Sequence, residues 1–212
     1  KGGNQTGVAE ACCVLAQVAV FQGHHEEAGI QGREARRRFR ELGDQYGEAW
    51  IVSVMGERAY SHNDLEEAAD LFQSAATLAE EIQIPQFVAN GLQGLGDVES
   101  ARGHQRKARR FLNESLRINQ EIGDTLFVAG VLASLAAVAA RREEYQQATQ
   151  LWGLEGHLRE ELGGMPPRRR GGRYDGDFAE LQALTREALG ESRFADALAE
   201  GAGMSVDEVV GG

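Results

Sequence analysis

A chain of 212 residues with 33 acidic side chains against 22 basic ones has a formal net charge of -11. That charge argues against sequence-independent binding to nucleic acid, which would need a basic face to displace counterions from phosphates. An apolar share of 42% is enough to build a core, no apolar run is long enough to cross a bilayer and no basic-then-apolar leader opens the chain, so a soluble, cytoplasmic protein is expected, one that does not act at a membrane.

In chain order, the first apolar stripe is Val8, Cys12, Leu15, Ala16 and Ala19. Spacings of three and four place these residues on one face of a helix. Gly23 and His24 break the stripe, and Ala28, Ala35, Phe39 and Leu42 form the next. Cys12 reads as a small core residue, since adjacent cysteines such as Cys12 and Cys13 rarely join in a disulfide. The pattern then recurs: Val52, Met55, Gly56 and Ala59 precede a break at Asn63 and Asp64, and Ala68, Phe72, Ala75 and Ile82 follow. Ala28, Ala68, Ala108 and Ala148 fall into one column at a forty-residue period, with Leu15, Met55, Leu95 and Leu135 in a second. Ala16, Gly56, Gly96 and Ala136 form a column of small residues that lets the second helix of each copy approach the first. Gly43, Pro85 and Gly123 separate the copies, because glycine accepts a left-handed conformation and proline cannot continue a helix ladder. Self-similarity at this period marks a solenoid, in which each unit buries its apolar face only against its neighbours.

The repeats therefore predict four helix pairs, at about 7–46, 47–86, 87–126 and 127–164. A Pro/Arg/Gly linker is expected over 165–176, around Pro166-Pro167 and Arg168 to Arg170, and a helical capping segment over 177–212. Phe178, Leu181, Leu184 and Ala188 form one stripe of that segment, Phe194 and Leu198 another, and Ser205 with Glu208 has the spacing of a capping box. The chain begins without Met, and an excised fragment of a longer protein is expected.

The order of an apolar residue, a small one, a turn with Gly or Asn-Asp, and Ala opening the second helix resembles the tetratricopeptide repeat in its longer form. The resemblance is carried by Leu15-Ala16, Gly23 and Ala28; Met55-Gly56 and Ala68; Leu95-Gly96, Gly103 and Ala108; and Leu135-Ala136 and Ala148. It implies an all-α, right-handed superhelical solenoid. A second resemblance runs from Ala148 through Leu151-Trp152-Gly153, Leu158 to Gly163, Pro166-Pro167, Ala188-Leu189-Gly190-Glu191 and Phe194 to Ala199-Glu200-Gly201. This stretch is similar to the C-terminal end of bacterial signal-transduction ATPase regulators of the STAND and LuxR types, and implies a sensor or docking arm of a larger regulator.

In such a stack the first helix of each copy lines the concave side. The residues expected to meet a partner are Gln17 and Phe21 in the first copy, with Glu10 and Cys13; Trp50, Ser53, Glu57 and Tyr60 in the second; and Asn90, Gln93 and Asp97, with Ser100, in the third. Gly130, Ala133, Ala137 and Arg141 take these places in the fourth. Aromatics beside Glu57 and Asp97, with amides near them, suit a peptide carrying Arg or Lys. The basic sets Arg33, Arg36, Arg37, Arg40 and Arg106, Lys107, Arg109, Arg110 are read as paired with acidic neighbours such as Glu66, Glu67, Asp70 and Glu80 on a solvated convex face. His24, His25, Glu26 and Glu27 diverge on a turn and are not expected to hold a metal. Gly91, Gly94 and Gly96 lie in a helical stripe and follow no strand, so they are not a nucleotide loop. The expected function is non-enzymatic binding of a protein or peptide, without a cofactor; a small-molecule inducer sensor and a self-associating scaffold are the alternatives.

Overall fold

The computed structural model describes residues 5–164 and 173–211. Every regular element among the described residues is a helix, and none is a strand. Helices α1 (Gln5–Phe21) and α2 (His25–Leu42), α3 (Gln45–Ser61) and α4 (Leu65–Glu81), α5 (Pro85–Ala101) and α6 (Gln105–Glu121), and α7 (Thr125–Arg141) and α8 (Tyr145–Glu161) pair in order. Three more follow: α9 (Arg173–Leu189), α10 (Glu191–Ala202) and α11 (Val206–Gly211). No described helix is long and apolar enough to cross a membrane.

The first eight helices end alike. A residue with positive φ stands at Gly23, Gly43, Asn63, Gln83, Gly103, Gly123, Glu143 and Gly163. The next amide reaches back to a carbonyl five residues earlier, as Asp44 does to Phe39, Asp64 to Ala59 and Asp124 to Asn119. This is the Schellman arrangement, which satisfies carbonyls the helix leaves over. After three of these turns an aspartate caps the next helix: Asp44 accepts from the Gly47 amide, Asp64 from Glu67 and Asp124 from Phe127.

Pairs stack because small residues of the first helices receive large residues of the second. The Phe72 ring of α4 lies between Gly56 of α3 and Gly94 of α5, and a Cβ on Gly56 would stand 2.9 Å from Phe72 Cδ1. Leu112 takes the same role at Gly96, where a Cβ would be 2.6 Å from its Cγ. The core runs as three successive clusters: one centred on Cys13, Ala35, Phe39 and Ile51, one on Val52, Tyr60, Phe72 and Val98, and one on Leu112, Leu132, Leu151 and Trp152. The α-solenoid read from the repeats is the fold observed.

Two sequence expectations need correction at α1. Leu15, placed in an apolar core column, is half exposed, because no described helix lies over it. Cys13 and not Cys12 is the fully buried thiol, and burial together with the neighbouring Cys12 pushes its pKa up to about 12.

At the other end, α10 lies against α8 with its backbone in contact. A Cβ on Gly153 would overlap the Leu198 carbonyl, and one on Gly201 would overlap the Gln150 carbonyl. The Ser205 amide and hydroxyl donate to Glu208, whose own amide approaches the Ser205 hydroxyl, closing the expected capping box at α11. Helix α9 starts at Arg173, inside the stretch read as linker, while Pro166-Pro167 and Arg168 to Arg170 lie outside the described residues.

Candidate binding groove

Helices α1, α3, α5 and α7 touch one another in series, whereas α2, α4, α6 and α8 touch only first helices and the C-terminal segment. The first helices are therefore the tighter inner layer, and the surface they share is the concave one. Polar side chains tie this layer together across repeats. Asn90 Nδ2 lies 3.5 Å from Ser53 Oγ, Gln93 Nε2 donates to Ser134 Oγ at 3.2 Å, and an Arg141 guanidinium nitrogen donates to Ser100 Oγ at 3.0 Å.

Among the residues expected to meet a partner, Phe21 is exposed, and Gln17, Trp50 and Asn90 are half-buried. Trp50 packs on the cluster of the first pair. Ser53, Glu57, Tyr60, Gln93 and Asp97 are buried. Glu57, Tyr60, Ser61 and Asp97 are each engaged by a partner. The structure thus places Ser53, Glu57, Tyr60, Asn90, Gln93 and Asp97 on α3 and α5 at the middle of the inner layer, and Gln17 and Phe21 on α1, which touches α3.

The middle of this surface is covered by the chain itself. Helix α9 touches α3, α7 and α8. Its half-buried Phe178 packs against the cluster that contains Val52, Tyr60, Leu95 and Val98. Beside it the Arg141 guanidinium lies 3.4 Å from Asp177 Oδ2, so one arginine links α5, α7 and α9. Further along α9, Leu181 is half-buried against the C-terminal core cluster, Leu189 is half-buried, Leu184 is exposed, Arg186 lies over the Phe194 ring at 4.4 Å, and the hydroxyl of buried Thr185 finds no hydrogen-bond partner among the described residues. Sequence reading found the Phe178 stripe but assigned it to an end cap. The signal that separates the two cases is Leu184, which a tightly packed cap would bury.

Charges outside the groove pair locally. Arg36 and Arg40 both reach Glu48 of the next pair, Arg37 bridges Glu34 and Glu41 along its own helix, and Arg102 contacts Glu66 at 3.2 Å. Glu99, buried at the α5–α6 turn, is held by His104 at 2.8 Å, Lys107 at 3.1 Å and Arg102 at 3.2 Å. Burial alone would raise its carboxyl, but these hydrogen bonds outweigh it and hold the pKa below the usual range. The His25 and His62 rings lie tilted against each other with centroids 5.2 Å apart, and no group of three or more His, Cys, Asp or Glu able to hold a metal occurs among the described residues. Two open depressions lie away from the inner layer, one lined by Tyr145, Gln150, Met204 and Glu208, the other by His24, His25 and Ile30.

No family model and no curated protein matches this sequence. Solved structures do match the fold. The chain is similar to BtubC (BKLC) from P. vanneervenii, with a TM-score of 0.68 and 21% identity, over 93% of this chain and 79% of that one. It is also similar to the apo form of RapI, with a TM-score of 0.66 and 14% identity, over 92% of this chain and 53% of that one, so it spans about half the length of RapI. Both neighbours are helical-repeat proteins of the tetratricopeptide type, and the fold described here is of that type.

Proposed function

We propose that this chain is a non-catalytic docking module whose concave surface receives a helical segment of a partner protein. The observation that carries the reading is α9: the inner layer already accepts an amphipathic helix, which seats an aromatic on the core and an acid on Arg141. Recognition by an apolar anchor with flanking charge is a common mode of helix-in-groove binding. The partner segment takes the place of α9, whose exposed face gives it few contacts to lose. The resemblance of the C-terminal third to bacterial signalling ATPases supports a larger regulator as the setting in which docking acts.

The test uses a labelled peptide spanning residues 173–189 and the full chain carrying Asp177→Lys and Phe178→Ala, which loosens its own helix. Saturable binding to this variant, weaker binding to the unmodified chain, and loss of binding on adding Arg141→Glu are expected. Equal failure of the peptide to bind either chain, while circular dichroism shows both folded, would rule out the inner layer as a helix-accepting surface.

A further inference from the structure

The forty-residue register allows the joints between helix pairs to be compared position by position. At the joint of α4 with α5, Leu65 opens α4 and Arg102 follows the last turn of α5. Acceptors surround Arg102 there: the Leu65 carbonyl at 3.1 Å, Glu66 at 3.2 Å and Glu99 at 3.2 Å. At the joint of α6 with α7 the two positions hold Gln105 and Arg142, and Arg142 pairs with Glu144 at 2.7 Å. At the joint of α2 with α3 they hold His25 and His62, whose rings meet with centroids 5.2 Å apart. Of these three joints, the first alone is closed by imidazoles.

The acceptors that serve Arg102 have no counterpart around this pair. His25 Nδ1 is buried and has no hydrogen-bond partner among the described residues. Two guanidinium groups stand one turn away over Gly29, where a Cβ would be 3.3 Å from Arg33 Nη1 and 3.8 Å from Arg58 Cδ. Arg58 Nε is likewise buried without a partner, while its Nη2 donates to Glu67 of α4 at 2.5 Å. The other acids of the adjoining helices serve elsewhere: Glu27 faces His24 at 3.9 Å, Asp64 caps α4, Glu66 holds Arg102, and Glu57 is engaged. Glu26 has the register position of Glu66 but makes no ion pair with either ring. Helix α1 carries one charge, Glu10, about three turns from its end beside His25. Burial first, then His62 and Arg58, hold the His25 imidazole below its ordinary value of 6.5.

From this cluster we infer that the α2–α3 joint is a pH-sensitive hinge: neutral rings hold the first helix pair on the second, and charging them loosens α1 and α2 from the rest of the stack. A proton on each ring sets like charges 5.2 Å apart beside Arg58, with no carboxylate in place to receive them. The contribution of His25 is complete above pH 6.5 and is lost as pH falls through its lowered value. Gln17 and Phe21 lie on one side of this hinge, and Ser53, Glu57 and Tyr60 on the other, so opening it alters the inner layer between α1 and α3. The hinge needs no partner and does not depend on docking at the groove.

The test measures amide exchange of the full chain at about pH 7.5 and about pH 5, on either side of the histidine range, with each rate corrected for its intrinsic pH dependence. Two like charges 5.2 Å apart correspond, at the dielectric of water, to about a fourfold change in an equilibrium. Amides of α1 and α2 should therefore exchange about fourfold faster at the lower pH, while those of α7 keep their rates, and salt at about 1 M should shrink the difference. His25→Leu, which gives α2 the residue that opens α4, should abolish the acid effect. His62→Gln, at an exposed position where α1 is followed by Gln22, should do the same and serves as the comparison if His25→Leu loosens the pair at both pH values. Unchanged rates in the natural chain, or an acid effect that survives both substitutions, overturn the hinge. So does slower exchange at the lower pH that Glu26→Gln removes, because charged rings would then be gaining a carboxylate.

Discussion

Phe72 provides a quantitative test of how the repeats are joined. Its ring is almost wholly buried and contacts α3 and α5 at positions where both helices carry glycine. Truncating a buried Phe to Ala costs about 3–5 kcal/mol, the upper part of the range applying where neighbours cannot collapse into the cavity. Glycines have no side chains with which to refill it, so Phe72→Ala should cost about 4 kcal/mol and lower the midpoint by roughly 10 °C. Gly56→Ala alone forces a methyl group to within 2.9 Å of the ring and should cost about 1–3 kcal/mol through overpacking. In the Phe72→Ala background the same methyl group enters the vacated space, and the two changes together should cost at least about 1 kcal/mol less than their sum. Urea unfolding followed by circular dichroism gives the four free energies, and amide exchange should place the loss at α3 to α5. Additive costs, or a Phe72→Ala loss below about 1 kcal/mol, would refute the glycine cradle as the joint between repeats.

Other consequences are open to equally direct measurement. Gln83→Gly and Glu143→Gly, at turns where a non-glycine residue holds positive φ, should each raise stability by about 0.5–1 kcal/mol in denaturant melts, while Gly123→Ala should lower it. Because the Glu99 carboxyl is held below its usual range, its contribution is present above the ordinary carboxylate pKa and lost as pH falls through the lowered value; Glu99→Gln should flatten the acid limb of a stability-against-pH curve. Cys13, with its pKa raised from 9.0 to about 12, keeps its proton in the folded chain, so its stabilising effect is complete below pH 9.0 and falls away as pH rises toward 12; at neutral pH a thiol reagent should reach it only on unfolding, as mass mapping of the labelled cysteine would show. Asp177→Lys should speed amide exchange in α9 and leave α10 unchanged, since Arg141 grips the first and the glycine contacts hold the second.

The helix pairs were legible because they are written locally. Spacing of apolar residues, small residues at the crossing points and a left-handed residue before each new helix are all short-range signals, and Asn63, Gln83 and Glu143 follow the glycine positions in phase. Positions decided by what lies on the outside of a helix were less legible. Leu15 has the sequence context of a core residue, and its exposure depends on a helix that is not next to it. Likewise Ser53, Glu57 and Asp97 read as groove residues by helix position, yet all three are buried, and that burial depends on the neighbouring inner helices and on α9, far along the chain. No periodicity within α3 or α5 encodes that contact. Cys13 differs again: a shift of one position around α1 exchanged it with Cys12, because a nearly uncharged helix has no polar stripe to fix its rotation.

The backbone contacts between α8 and α10 have a mechanical consequence. Gly153 and Gly201 let two helices interlock main chain to main chain, and the Gln150 amide is further latched to Glu200 at 2.8 Å. Side-chain packing yields gradually when helices slide, whereas interlocked backbones must separate before either helix can turn. Under a force applied at its two termini, the molecule should therefore uncoil from α1, one helix pair after another, with the α8–α10 joint the last to open. In an optical trap this would appear as a staircase of similar extensions that ends in one stiffer step.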